Sequence, residues 1–194
     1  MARSARRTRK KPIFSGGRAI RLLSLDVDGV LTDGGLYYAD DGTVSRKFNV
    51  RDGVGIQRIL ARGIEVAIVS AGTSGSIPHR AKTLGIRHAL SGVPDKLAAV
   101  EKLCRQIGCT MAEVAHVGDD LNDVALLKAV GWPLSVADAV PEARAVARYV
   151  TRRRGGEGAV REICDLLFVA SGKKSSIAGS KPPLRSGGRR GGHG

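Results

Sequence analysis

Four groups of residues carry side chains able to do chemistry, and they come in a fixed order. The first is Asp26 and Asp28 in DVDGVLTD. Two carboxylates two residues apart suit divided labour: one attacks phosphorus to form an acyl phosphate, the other protonates the leaving oxygen and then activates water. The second is Ser70, at the end of IEVAIVS, whose hydroxyl and following backbone N–H groups can cradle a phosphoryl oxygen. The third is Lys96 in PDK, a cation at a helix start, unfavourable there unless anions are near. The fourth is GDDLND, where Asp119, Asp120 and Asp123 crowd three acids together. Such crowding is repulsive without a cation, and hard oxygen ligands without His or Cys close by favour Mg2+ over zinc. Each group alone is commonplace: loop acids, a snorkelling lysine, a loop serine. Their joint order is the signal.

These residues need elements that converge. RLLSLDVDG, IEVAIVSAG, EVAHVGDD and WPLSVADA are short apolar runs, with RHALSG a weaker fifth, and they read as strands of a parallel sheet covered on both faces. Helices fill the gaps at 52–61, 77–84, 95–107, 121–130, 141–147 and 158–170. In the third, Asp95 caps, and Leu97, Val100, Leu103, Cys104 and Ile107 share a face. The alternation implies an α/β, doubly wound, Rossmann-like sheet, which binds ligands at the C-terminal ends of its strands. One segment departs from it. LYYA and TVSRKF flank Asp40-Asp41-Gly42, the pattern of a β-hairpin overhanging those strand ends.

The chain has 194 residues and a formal charge of +14. Eight Lys or Arg within 1–21 and six within 170–194, with no acids in either stretch, account for all of it. The expected organisation is therefore a basic tail at 1–20, a neutral folded domain at 21–170 and a basic Gly/Ser/Pro-rich tail at 171–194. The tails hold too few apolar residues to offset the entropy of ordering, so disorder is expected there. Their charge leaves open contact with nucleic acid or anionic surfaces, or no partner at all. Cys104, Cys109 and Cys164 form no CxxC motif and read as reduced packing residues of a cytoplasmic protein. No apolar run is long enough for a transmembrane segment, and no secretory core follows the basic start.

The four motifs resemble those of the haloacid dehalogenase superfamily. More narrowly, DVDGVLTDGGLYY, KFNVRDGVGI, VGDDLNDVALLKAVG and GGEGAVREICDLL look like its capless 3-deoxy-D-manno-octulosonate 8-phosphate phosphatases, over about 22–170. The resemblance implies a Mg2+-dependent phosphomonoesterase acting on a phosphorylated sugar acid in lipopolysaccharide biosynthesis. It makes Asp26 the nucleophile, Asp28 the general acid/base, and Ser70 and Lys96 the phosphoryl-holding residues. Asp26, Asp119 and the backbone carbonyl of Asp28 become metal ligands, supported by Asp120 and Asp123. Phe48, Asn49, Val50, Arg51, Asp52 and Arg80, with Asp28 and Lys96, become substrate contacts. It also implies a homotetramer without a large cap domain, in which hairpins meet and a neighbour's Gly-rich segment 154–158 closes the site.

Two positions depart from that pattern. Gly72 and Gln57 stand where substrate-gripping arginines are expected. A planar guanidinium suits a carboxylate, so their loss loosens the expectation for an octulosonate. Compensation by Arg80, Arg58 or a neighbour's 152–154 is one outcome. A nonulosonate 9-phosphate or another sugar phosphate as substrate is another. A non-catalytic oligomerisation or regulatory module of the same fold is a third.

Overall fold

The computed structural model describes residues 19–171. The two basic tails expected from the sequence lie outside the described residues, apart from their innermost few.

Among the described residues eight strands and six α-helices form in this order: β1 (Leu22–Leu25), β2 (Tyr37–Tyr38), β3 (Val44–Ser45), α1 (Val50–Leu60), β4 (Glu65–Val69), α2 (Ser76–Leu84), β5 (His88–Leu90), α3 (Lys96–Ile107), β6 (Val114–Gly118), α4 (Val124–Ala129), β7 (Trp132–Ser135), α5 (Pro141–Val146), β8 (Tyr149–Val150) and α6 (Ala159–Ala170). Six strands make one sheet in the order β5-β4-β1-β6-β7-β8, every pair parallel. From β1 the chain winds outward to β4 and β5, then returns to the other side of β1 with β6. The reversal places the topological switch point, and so the ligand crevice, at the C-terminal end of β1.

Alternation along the strands sorts side chains to two faces. Leu23, Leu25, Val66 and Ile68 join one buried cluster with Ile56 and Ile59 of α1, Ile77 of α2 and Ile163 of α6. Leu22, Ala67 and Val69 join the other, with Val100, Leu103 and Cys104 of α3. The doubly wound α/β expectation is met.

Several boundaries differ. α1 starts two residues early because the Asn49 side chain accepts from the N–H of Arg51 at 2.9 Å and caps it. The helix expected over 121–130 opens as a 3-10 turn, Leu121–Asp123, and only then becomes α4. β8 was not expected at all. It is two residues long, too short for periodicity to mark.

The hairpin forms as Tyr37↔Ser45 and Tyr38↔Val44. Asp41 accepts from the N–H of Thr43 at 2.8 Å and shapes the turn. All three cysteines are free and buried. Burial above all pushes the Cys104 thiol up to about 12 and Cys164 higher still, which suits packing residues and not nucleophiles. Among the described residues no helix is long and apolar enough to cross a membrane.

Candidate active site

The site is built from the loops that leave β1, β4 and β6. Asp26 follows β1, and its N–H donates to the carbonyl of Val117 at 3.0 Å, which pins it beside β6. The chain then coils back, with the N–H groups of Leu31 and Thr32 both donating to Val27 O at 3.0 Å. Gly29 makes this possible. It has φ +86°, and a Cβ there would overlap the carboxylate of Asp119. The absence of a side chain at Gly29 is what lets the loops after β1 and β6 touch.

Lys96 is the cationic hub. It opens α3, capped by Asp95 through a 3.0 Å bond from the N–H of Ala98, and is only 3% exposed. Its Nζ lies 2.9 Å from Asp26 Oδ2 and 2.7 Å from Asp123 Oδ1. A buried lysine is costly unless paired, and here two carboxylates pair it and raise its pKa against the opposing effect of burial.

Asp123 is fully buried. Its Oδ1 also meets His116 Nε2 at 3.1 Å, and its Oδ2 accepts from the backbone N–H of Asp119 at 3.2 Å. Burial would raise its carboxyl, yet the hydrogen bond and charge of His116 with the charge of Lys96 hold it down at about 2. On the far side, His116 Nδ1 meets Ser24 Oγ at 3.1 Å. Ser24 and His116 are register partners across β1 and β6, so the sheet itself aligns them. The buried line Ser24–His116–Asp123–Lys96–Asp26 thus fixes the carboxylate that faces the crevice. His116 and Ser24 were missed in the sequence. Only the His in VAHV, a polar residue in an apolar strand, signalled it.

Asp26 and Asp119 are in a different electrostatic state. Burial first, then the charge of Asp123, raises the Asp26 carboxyl to about 6 against the pull of Lys96. Burial and the charges of Asp26 and Asp123 raise Asp119 to about 8. Asp119 Oδ1 is buried with no hydrogen-bond partner. Carboxylate oxygens of Asp26, Asp119 and Asp123 lie within 4.8 Å of one another. An orphaned oxygen within a trio of hard, mutually repelling donors fits a divalent cation such as Mg2+. Asp120 is exposed and caps the 3-10 turn, its Oδ1 accepting from Leu121 N–H at 2.6 Å.

Ser70 is 1% exposed and accepts from the N–H of Gly72 at 3.1 Å, which bends the loop after β4 so that a Cβ on Gly72 would lie 3.4 Å from Asp28 Oδ2. Asp28 is held by a residue that sequence reasoning did not single out. Arg46, just beyond β3, reaches down from the hairpin, with Nε 2.7 Å from Asp28 Oδ1 and Nη2 3.0 Å from Oδ2.

The residues expected to contact substrate are dispersed. Phe48 and Arg80 line a groove of about 940 Å³ between the hairpin and α2, with Arg46, Ser74, Ser76 and His79. The Arg80 guanidinium lies 5.5 Å from the Phe48 ring centroid and donates to Asn49 O at 3.2 Å. Arg51 lies in a separate hollow beside Arg153 and Arg161, and Val50 is 76% exposed. Asp52 is buried, accepting at 2.7 Å from the N–H of Arg161 in the first turn of α6.

Arg58, one of the residues offered in compensation for Gln57 and Gly72, pairs with Asp165 at 2.5 Å and stacks on Phe168, both in α6. The Gly-rich segment 154–158 is anchored in its own chain. Gly156 N–H donates to Val30 O at 3.1 Å, and a Cβ on Gly155 would overlap Gly29 O. It buttresses the loop carrying Asp26 and Asp28.

Comparison with known proteins gives concordant relationships. A family model described as haloacid dehalogenase-like hydrolase matches residues 90–163. The 3-deoxy-D-manno-octulosonate 8-phosphate phosphatase of Escherichia coli strain K12 is 47% identical over 167 residues, covering 86% of this chain and 89% of that protein. The crystal structure of the Moraxella catarrhalis enzyme of that name, in complex with magnesium, phosphate and KDO, matches with a TM-score of 0.76 at 40% identity, over 78% of this chain and 87% of that one. The cobalt-bound form of the Haemophilus influenzae phosphatase matches with a TM-score of 0.78 at 37% identity, over 82% and 94%.

Proposed function

We infer the function from one premise: this chain belongs to the haloacid dehalogenase-like hydrolases, within the 3-deoxy-D-manno-octulosonate 8-phosphate phosphatase family. It is a phosphatase. Its proposed reaction is the hydrolysis of 3-deoxy-D-manno-octulosonate 8-phosphate to the free sugar acid and inorganic phosphate. One observation carries this reading: Asp26, Ser70 and Asp119 follow three adjacent strands, and Lys96 ties Asp26 to Asp123 beneath them.

The proposed mechanism uses these groups in turn. Asp26, fixed by Lys96, attacks phosphorus in line, and its oxygen forms the new P–O bond as the ester P–O bond breaks. The electron pair leaves on the sugar oxygen, which takes its proton from Asp28. Ser70, nearby backbone N–H groups and Lys96 stabilise the equatorial oxygens. Asp28 then takes a proton from water, which attacks the aspartyl phosphate and frees Asp26 and phosphate. Asp26, Asp119 and the main chain of Asp28 are the proposed ligands of Mg2+, with Asp120 and Asp123 behind them. When bound, the ion supplies charge neutralisation between the phosphate dianion and the carboxylates.

A nonulosonate 9-phosphate is the second reading, favoured by Gln57 and Gly72 at positions where guanidinium groups were expected. The groove lined by Phe48, His79 and Arg80 is the proposed berth for either sugar chain. The inferred assembly is a homotetramer joined through hairpins, supported by the exposed Leu36, Tyr37 and Tyr38. The inferred compartment is the cytoplasm.

The deciding experiment is a phosphate-release screen over sugar phosphates, including both acids, with and without Mg2+. Magnesium-dependent turnover led by the octulosonate is expected. Preference for a nonulosonate would move the assignment to the second reading, and inactivity with metal present would leave only a non-catalytic module.

A further inference from the structure

Arg46 has no place in the chemistry above, yet it makes the only side-chain contacts recorded for Asp28 among the described residues. It arrives from the hairpin, 18 residues along the chain, and its side chain is 3% exposed while that of Asp28 is 35% exposed. Its fork is bidentate, and its third nitrogen, Nη1, approaches Ser76 Oγ at 3.4 Å. A Cβ on Gly72 would lie 2.9 Å from Arg46 Nη2 and 3.4 Å from Asp28 Oδ2. The guanidinium therefore fills the space into which any side chain at position 72 would grow. The missing arginine and the unanticipated one occupy the same volume.

We propose that Arg46 is a positioning residue for Asp28 and supplies from the hairpin the guanidinium that position 72 lacks. This rests on the phosphatase reading above. A carboxylate that must both give and receive a proton at one oxygen works only when its plane is fixed, and a bidentate guanidinium fixes the plane as an ammonium does not. The arrangement also couples the hairpin to the reaction. Arg46 lines the groove with Phe48, His79 and Arg80, so a substrate seated there meets the same side chain that orients the acid. Gly72 is the permissive partner, small because Arg46 passes over it.

The proposal predicts a leaving-group signature. A sugar alkoxide needs the proton from Asp28, whereas para-nitrophenolate leaves without one. With Mg2+ present, Arg46→Ala should lower kcat on 3-deoxy-D-manno-octulosonate 8-phosphate about 10–100-fold. On para-nitrophenyl phosphate the first step, read as the pre-steady-state release of para-nitrophenolate, should stay within about 3-fold because that leaving group needs no proton, whereas the later water step uses Asp28 for both substrates. Arg46→Lys should recover only part, because the charge stays and the fork is lost. Gly72→Arg alone should also impair the sugar phosphate reaction by crowding Arg46, while Gly72→Arg in the Arg46→Ala background should restore part of the loss. A release of para-nitrophenolate slowed as much as turnover of the sugar phosphate, no loss on the sugar phosphate in Arg46→Ala, or simply additive losses in the double variant would each overturn the proposal. A wild-type protein inert on both substrates would overturn the phosphatase reading and this inference with it. Wild-type activity with an unaffected Arg46→Ala would overturn this inference alone.

Discussion

At the residue scale the site is a contest between burial and pairing. Lys96 is nearly inaccessible, and it is tolerable because Asp26 and Asp123 lie within 3 Å of its nitrogen. Asp26→Asn keeps the shape and the burial but removes the nucleophilic charge. It should abolish phosphate release while leaving the circular dichroism spectrum unchanged; retained turnover would exclude Asp26 as the attacking group. Asp119 shows the opposite imbalance. Burial and its acidic neighbours raise it to about 8, so the metal-free fold favours its protonated form. Stability from that proton is present at acid pH and is lost as pH rises through about 8. A divalent ion needs the carboxylate, so binding releases the proton and strengthens as pH rises. The increase in melting temperature on adding Mg2+ should therefore grow between pH 5.5 and about pH 8 and level off above it. A thermal-shift series with an increment flat in pH would count against Asp119 as a ligand.

At the element scale the most informative joint is between α1 and α6. Asp52 of α1 accepts from a first-turn N–H of α6, an anion at the positive end of a helix. Its second oxygen, Oδ2, is buried without a partner. Burial raises its carboxyl to about 6, more than the N–H bond and the nearby Arg80, Arg153 and Arg161 can lower it. The folded value lies above the unfolded one, so the stabilisation from protonation is complete below about pH 4 and lost as pH rises through 6. Asp52→Asn keeps the acceptor and removes the titration. Its stability, followed by thermal melts, should gain on the wild type from pH 4.5 to 7.5 by up to about 2 kcal/mol for a shift of that size. A constant difference across that range would show that Asp52 does not titrate there. The same joint explains why Asp52, expected as a substrate contact, serves a structural partner first: its helix presents it inward to α6.

At the scale of the whole molecule, charge and chemistry are separated. The groups of the proposed mechanism lie between Asp26 and Asp123, inside the neutral part of the chain, whereas the net +14 comes from its two ends. Removing 1–18 and 172–194 should leave kcat/KM for the sugar phosphate within about 2-fold, while any salt-sensitive binding to DNA should disappear. A phosphatase assay beside a binding titration over salt separates the two roles. A large loss of activity on trimming would place a tail in the catalytic assembly.

Asp26, Asp28, Ser70, Lys96 and the Asp119–Asp123 cluster were legible in the sequence because each follows an apolar run or opens a helix, and a parallel sheet must bring such ends together. The doubly wound fold was legible for the same reason, since local periodicity reports which face of each element is buried. Tertiary structure alone decided what holds those residues in place. Ser24 meets His116 through the register of β1 on β6, and nothing local encodes that pairing. Arg46 meets Asp28 only because the hairpin folds back over the loop after β1 and Gly72 leaves room for it. The sequence alone therefore determined the residues of the proposed machinery and the topology that gathers them. The partners that orient that machinery sit far away along the chain, and register and close packing, not spacing, chose them.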